Sequence, residues 1–277
     1  MIFRRANAMF SAVLAGCAAL TALPALAAEP SYETIRSLVY APRADEPLQA
    51  DVYRPTGKGP FPGVLCVHGG AWTVGNKNQM AGIARQLAEA GYTAVTINYR
   101  LAPKYKFPAQ IEDCRAALHW MRENAKQHKI DPDRLGAWGY SAGGHLVALL
   151  GTSGTGLKAV KAVVAGGAPC DFRDVPPDSQ RLAFWLGGTR HELPKVYQAA
   201  SPAEFVSADD PPMFFYHGQL DRVVPVAHPT KMAAELKRLG VTAKLYVVPK
   251  AAPRGACVDR AAVTEGIRFL DQHLKSP

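Results

Sequence analysis

From residue 31 onward, apolar positions follow two periods in turn. Residues 35–40 and 48–53 alternate at every second position around a Pro/Asp-containing turn, which predicts an opening hairpin of two short strands. Residues 63–68 form an unbroken apolar run, the signature of a strand covered on both faces. Residues 79–90 change to helical spacing through Ile83, Leu87 and Ala90, and Gly91 ends the helix. A strand over 93–98 follows. Ile111, Ala117, Leu118 and Met121 then set a long helix between about 109 and 128.

The rhythm continues with a strand over 135–140, a helix over 142–151 and a buried strand over 159–165. Residues 171–205 lose it and hold several prolines, so they read as an inserted segment rather than sheet. Strand 212–217, helix 227–239, strand 243–248 and helix 258–274 complete the chain. A hairpin followed by repeated strand–helix units predicts an α/β fold with a mostly parallel sheet and helices on both faces. Reactive groups in such sheets gather at the carboxyl ends of the strands.

The first residues stand outside this pattern. Arg4 and Arg5 precede an apolar run from about 9 to 26, which closes in Ala25-Leu26-Ala27, a small-residue processing site. Pro24 interrupts the run, which argues against a membrane span. Residues 1–27 are therefore expected to be a cleaved signal peptide, leaving 31–277 as one exported domain, periplasmic or secreted. Leu14-Ala15-Gly16-Cys17 resembles a lipoprotein box, but the stretch stays apolar through Leu23, which favours ordinary cleavage after Ala27.

Loss of Arg4 and Arg5 lowers the formal charge from +9 to +7. The remaining cations form no run, so a solvated basic surface is a better reading than nucleic-acid binding, while weak attraction to anionic polymers or lipid surfaces stays compatible. Cys66, Cys114, Cys170 and Cys257 match no zinc spacing, and no metal is expected. Cys66 lies in a core strand. Cys170 and Cys257 both follow predicted strands, which leaves a disulfide open against the simpler reading of free thiols.

Three motifs carry chemistry. Gly139-Tyr140-Ser141-Ala142-Gly143 fits G-x-S-x-G and falls between a strand and a helix, where a sharp turn lifts a nucleophilic hydroxyl into the open. His68-Gly69-Gly70-Ala71-Trp72 follows a buried strand and resembles an oxyanion loop, with backbone donors expected from Gly70, Ala71 and Ala142. His68 reads as a buttress of that loop, and Trp72 and Tyr140 as pocket residues. Asp221, in His217-Gly218-Gln219-Leu220-Asp221, lies just past a strand and suits the acid of a Ser…Asp…His order.

These motifs, with Tyr99-Arg100-Leu101-Ala102-Pro103, Phe107-Pro108-Ala109, Gly144-His145 and Ser201-Pro202, resemble the bacterial α/β-hydrolase carboxylesterases. The resemblance extends to the feruloyl/acetyl-xylan-esterase-like and hormone-sensitive-lipase-like groups, and the Ser-Ala-Gly-Gly-His run is closer to the first. It implies an eight-stranded sheet, a small cap over 171–205, no cofactor, and a small-molecule ester or glycan ester as substrate.

In that family the base histidine follows the last strand. Here Val248-Pro249 continues as Lys250-Ala251-Ala252-Pro253-Arg254-Gly255-Ala256, without a histidine. Arg254 occupies the slot, or Pro253 if the register slips by one. A guanidinium has no acceptor and stays protonated, so it cannot take the serine proton; an ion pair with Asp221 is one alternative use. His217 and His191 are candidate substitute bases, and His228 is a weaker one. His145 should point into packing, and His119, His128 and His273 lie on helices remote from the motif.

Two functions follow. One is an exported carboxylic-ester hydrolase, acting through an acyl-enzyme and impaired by the missing base. The other is a non-catalytic binding protein on the same scaffold, in which Arg254 holds a carboxylate. A decayed or misread copy is a third origin for the same pattern.

Overall fold

The computed structural model describes residues 31–153 and 160–275. The expectations for residues 1–27, including cleavage after Ala27 and the role of Cys17, lie outside the described residues.

Eight strands form a single sheet in the order β1-β2-β4-β3-β5-β6-β7-β8. They are β1 (Tyr32–Ala41), β2 (Leu48–Pro55), β3 (Phe61–Val67), β4 (Thr93–Ile97), β5 (Ile130–Tyr140), β6 (Ala162–Gly166), β7 (Met213–Gly218) and β8 (Ala243–Val248). β2 is antiparallel to β1 and β4, as the opening hairpin requires, and β3 through β8 run parallel. The apolar runs are continuous because both faces are covered. On one face Leu65, Val67, Ala137, Val163 and Phe215 pack under α2 (Ala109–Glu123), α4 (Ala142–Thr152) and α7 (Ala227–Arg238). On the other Val64, Cys66, Trp138, Val164 and Tyr216 pack under α1 (Ala81–Glu89) and α9 (Arg260–Leu274). Successive residues of each strand thus serve opposite layers.

Differences from the sequence pattern are local. The helix expected over 109–128 breaks at Asn124, and a short α3 (Ala125–His128) ends at Lys129 in the left-handed region. The inserted segment contains α5 (Ala183–Leu186) and α6 (Pro194–Ala199) and no strand. The loop after β8 holds an unforeseen short helix, α8 (Pro253–Cys257), and α9 starts two residues later than expected, where Asp259 caps Ala262 N–H at 2.8 Å. Among the described residues no helix is long and apolar enough to cross a membrane.

One buried ion pair ties the long connection after β4 to α2. The Asp113 carboxylate is fully buried and receives the Arg100 backbone N–H at 2.9 Å, the Arg100 guanidinium at 2.9 Å and Arg43 Nη2 at 2.7 Å. Arg100 also donates to Ala109 O at 3.0 Å, which joins Tyr99-Arg100 to Phe107-Pro108-Ala109. The insert docks on this junction: Phe107 N–H donates to Trp185 O (3.0 Å), and Trp185 Nε1 donates to Gln110 Oε1 (3.0 Å). Removing one member of a buried pair strands the other's charge. Asp113→Ala is expected to cost about 3 kcal/mol or more, seen as a lower urea midpoint at unchanged slope; an unshifted midpoint would mean that the arginines are solvated without Asp113.

Candidate active site

β5 passes into α4 through Ser141, which holds φ +54° and ψ −118°. That conformation is costly for a residue with a side chain and persists only where its surroundings enforce it. Here Ser141 N–H donates to Gly166 O at 2.8 Å, and Ser141 O accepts from His145 N–H at 2.9 Å. The first turn of α4 lies so near β3 that a Cβ on Gly143 would stand 2.0 Å from Val67 O, closer than atoms can approach. Ser141 is partly exposed, and its hydroxyl bonds to no other described residue.

The loop after β3 is also strained. Gly70, Ala71 and Trp72 have φ of 113°, 50° and 61°. The Gly70 carbonyl is captured by the N–H groups of Thr73 (3.0 Å) and Val74 (3.1 Å), and a Cβ on Gly70 would lie 1.9 Å from Val74 O. The backbone N–H groups of Gly70, Ala71 and Ala142 donate to no described residue, the condition an oxyanion site requires. His68 buttresses this loop as expected. Its ring stacks on Tyr99 at 4.2 Å, and Nδ1 bonds Gly69 O at 2.7 Å. Burial lowers its pKa to about 4, which keeps the ring neutral.

Trp72 does not line an open mouth. It is 5% exposed because Trp185 of the insert stacks on it at 3.7 Å with the rings 2° from parallel. Trp72 Nε1 donates to His145 Nδ1 at 3.3 Å, and His145 Nε2–H donates to Ala200 O at 2.7 Å. His145 is fully buried as predicted, but it also links the oxyanion loop to the insert. The sequence signal for this was its place in the Ser-Ala-Gly-Gly-His run; Trp185 gave none. Tyr140 packs on the α1/α9 side, beside a cavity of about 110 Å³ lined by Met80, Cys257 and Val263 rather than by Ser141. Two larger cavities, about 560 and 680 Å³, are lined by His228 with Asp171 and by Phe107 with Phe205, and Ser141 lines neither.

The Asp221 side chain is 2% exposed. One carboxylate oxygen accepts Val223 N–H (2.8 Å) and Val224 N–H (2.9 Å), and the other lies 3.5 Å from His217 Nε2. His217 Nε2 also donates to Val224 O at 2.8 Å, and its buried Nδ1 has no partner among the described residues. His191 is exposed and pairs with Asp178 at 3.2 Å. His228 Nδ1 accepts Cys170 N–H at 3.4 Å. None of these histidines bonds Ser141 Oγ, so the structure brings neither candidate substitute base to the serine.

The loop after β8 is fastened to the loop after β7. Gln219 N–H donates to Val248 O (3.0 Å), Leu220 N–H to Ala251 O (2.9 Å), and Lys250 N–H to Gln219 Oε1 (2.9 Å). Tyr140 Oη donates to Pro253 O at 2.6 Å, placing that residue beside the elbow. Arg254 is exposed. The Asp221–Arg254 ion pair is not formed among the described residues, because backbone amides and His217 already satisfy the carboxylate. Cys170 and Cys257 are free thiols, the simpler of the two readings left open by the sequence. Among the described residues no cluster of three or more His, Cys, Asp or Glu is arranged to hold a metal ion.

The strand order, the serine at the β5–α4 bend and the glycine loop after β3 define an α/β-hydrolase fold. The BD-FAE family model matches residues 50–236, and the chain belongs to that family. Among curated relatives, esterase LipQ of Mycobacterium tuberculosis is 30% identical over 75% of this chain and 53% of its own length. Esterase LipC of the same organism is 32% identical over 70% and 53%. The chain spans about half the length of the curated relatives it matches. A truncated carbohydrate esterase from gut microbiota superposes with a TM-score of 0.80 at 27% identity, covering 90% of this chain and 99% of that one. The native esterase 2 of Thermogutta terrifontis shares the fold, with a TM-score of 0.73 at 24% identity over 88% and 91% of the two chains.

Burial holds the His145 pKa near 4, against the opposing hydrogen bond to Ala200, whereas the unfolded chain binds that proton near the ordinary 6.5. The contribution is complete above pH 6.5 and is lost as pH falls from there through about 4, a change on the order of 3 kcal/mol. His68 acts in the same direction. His145→Gln is therefore expected to flatten, without abolishing, the fall in urea midpoint between these pH values; an unchanged slope would mean that His145 is not the titrating group.

Proposed function

We propose that the chain is an exported serine hydrolase of the carboxylesterase type, acting on small carboxylic esters with weak turnover. What carries this reading is the bend at Ser141: a strained serine whose hydroxyl bonds to no other described residue, flanked by backbone N–H groups of Gly70, Ala71 and Ala142 that likewise donate to no described residue. Ser141 Oγ attacks the acyl carbon, and those donors take the negative charge that develops on the carbonyl oxygen. The alcohol leaves, and water releases the acid from the acyl-serine. Family membership and the esterase names of LipQ and LipC support the reaction class. The likeness to a carbohydrate esterase supports glycan esters among the substrates.

The weakness lies in proton transfer. With Arg254 or Pro253 in the base slot, the serine proton has no side-chain acceptor among the described residues and passes to water or hydroxide. Loss of a triad base costs on the order of a million-fold in turnover, while oxyanion binding retains roughly a thousand-fold over water. Because no described histidine bonds Ser141, a second reading has a specific observation in its favour: a ligand-binding protein on a hydrolase scaffold. Export rests on the N-terminal apolar run and its Ala25-Leu26-Ala27 end.

Hydrolysis of p-nitrophenyl acetate by the purified protein tests the proposal. Wild type is expected to be slow, Ser141→Ala to lose the remaining specific rate, and Arg254→His or Pro253→His to gain at least tenfold. A fast wild type that Ser141→Ala silences would show that another group supplies the base. A rate that Ser141→Ala leaves untouched would favour the binding protein.

A further inference from the structure

The loops that close the sheet's carboxyl end beyond β7 and β8 form one rim, joined through Leu220, Gln219, Lys250 and Ala251 as described above. Residues 219–226 and 249–256 contain a single carboxylate, Asp221, and it is turned inward. Their three cations, Arg222, Lys250 and Arg254, are exposed, and none forms an ion pair with a described residue. Arg181 joins them from the insert by donating to Val223 O at 3.3 Å. These charges are scattered in the sequence and meet only in the fold. Elsewhere some exposed arginines find carboxylates, as in Arg173–Asp171, Arg238–Glu235 and Arg268–Glu265, while Arg85 and Arg260 form no ion pair with a described residue.

The same rim projects large aliphatic side chains. Leu220 is 56% exposed and Val223 64% exposed, on either side of Arg222. Each half of this combination rejects a simpler partner. A soluble polyanion would use the charges and leave Leu220 and Val223 in water. A neutral apolar partner would take the aliphatics and strand the cations. A bilayer with anionic headgroups satisfies both, because cations pair at the headgroup level while short apolar side chains enter the acyl boundary.

We propose that this rim docks the protein on an anionic lipid bilayer, with the Ser141 end of the sheet toward the membrane. Docking does not depend on turnover at Ser141, so its failure and that of the hydrolase reading are separately visible. It presents the serine to esters that partition into or lie on the lipid surface.

Co-sedimentation with vesicles tests this. The mature chain is expected to bind phosphatidylcholine vesicles containing about 30% phosphatidylglycerol and to ignore phosphatidylcholine alone. Each rim cation should contribute about fivefold to partitioning, so Arg222→Glu/Lys250→Glu/Arg254→Glu should weaken it at least thirty-fold. Lys58→Glu/Lys126→Glu/Lys161→Glu makes the same change in net charge in segments preceding β3, β5 and β6, at the amino end, and should retain most binding. Leu220→Ser/Val223→Ser should weaken binding several-fold with every charge in place. Raising salt from about 0.05 to 0.5 M should release the wild type, which keeps the test decisive if a variant fails to fold. No binding to the anionic vesicles would overturn the proposal. Equal loss in the two charge-reversed variants would do so too, as would rim-dependent binding of polygalacturonate without vesicle binding.

Discussion

The carboxyl end of the sheet depends on how closely the first turn of α4 lies against the end of β3. At Gly143 that contact leaves no room for a side chain, since a Cβ would sit 2.0 Å from Val67 O and 2.6 Å from His68 O. The approach brings the start of α4, with its free Ala142 N–H, beside the loop that carries Gly70 and Ala71. It also forces the preceding residue into positive φ, which turns Ser141 outward. The exposure of Ser141 and the grouping of the Gly70, Ala71 and Ala142 N–H groups beside it are therefore consequences of one packing constraint. A larger residue at 143 would displace both.

Much of this was legible in the sequence because it is encoded locally. The two-residue alternation at 48–53, the apolar run at 63–68 and the glycines around Ser141 each express a requirement of the strand or turn they occupy. The pattern marked eight strands, but not the order in which they lie in the sheet. Contacts between distant segments were not legible. Trp72 was expected to line the pocket, but Trp185, more than a hundred residues later, covers it. His145 was expected in packing and is there, yet its bond to Ala200 O depends on where the insert returns. Asp221 was given Arg254 as a possible partner. Its own loop supplies two amides at 2.8 and 2.9 Å, a local solution that strand and helix patterns do not encode.

The loop after β8 holds no histidine between residues 249 and 256. Its backbone is held by Leu220, Gln219 and Tyr140, so the acid loop and elbow remain joined to the segment where the base would stand. The scaffold around that position is intact, and Arg254 stands on it as an exposed cation. This separates two properties of a serine hydrolase that are usually seen together: geometric presentation of the hydroxyl and chemical activation of it.

The pH dependence of Ser141 phosphonylation separates those properties most directly. The modified serine is followed by intact mass after exposure to a fluorophosphonate, with Ser141→Ala as the blank. A well-presented serine without a histidine base should react slowly, with a rate that climbs steadily from about pH 6 to pH 9 and shows no plateau. A rate that levels off with an apparent pKa between about 6 and 7.5 would reveal a histidine serving Ser141, and would contradict the account.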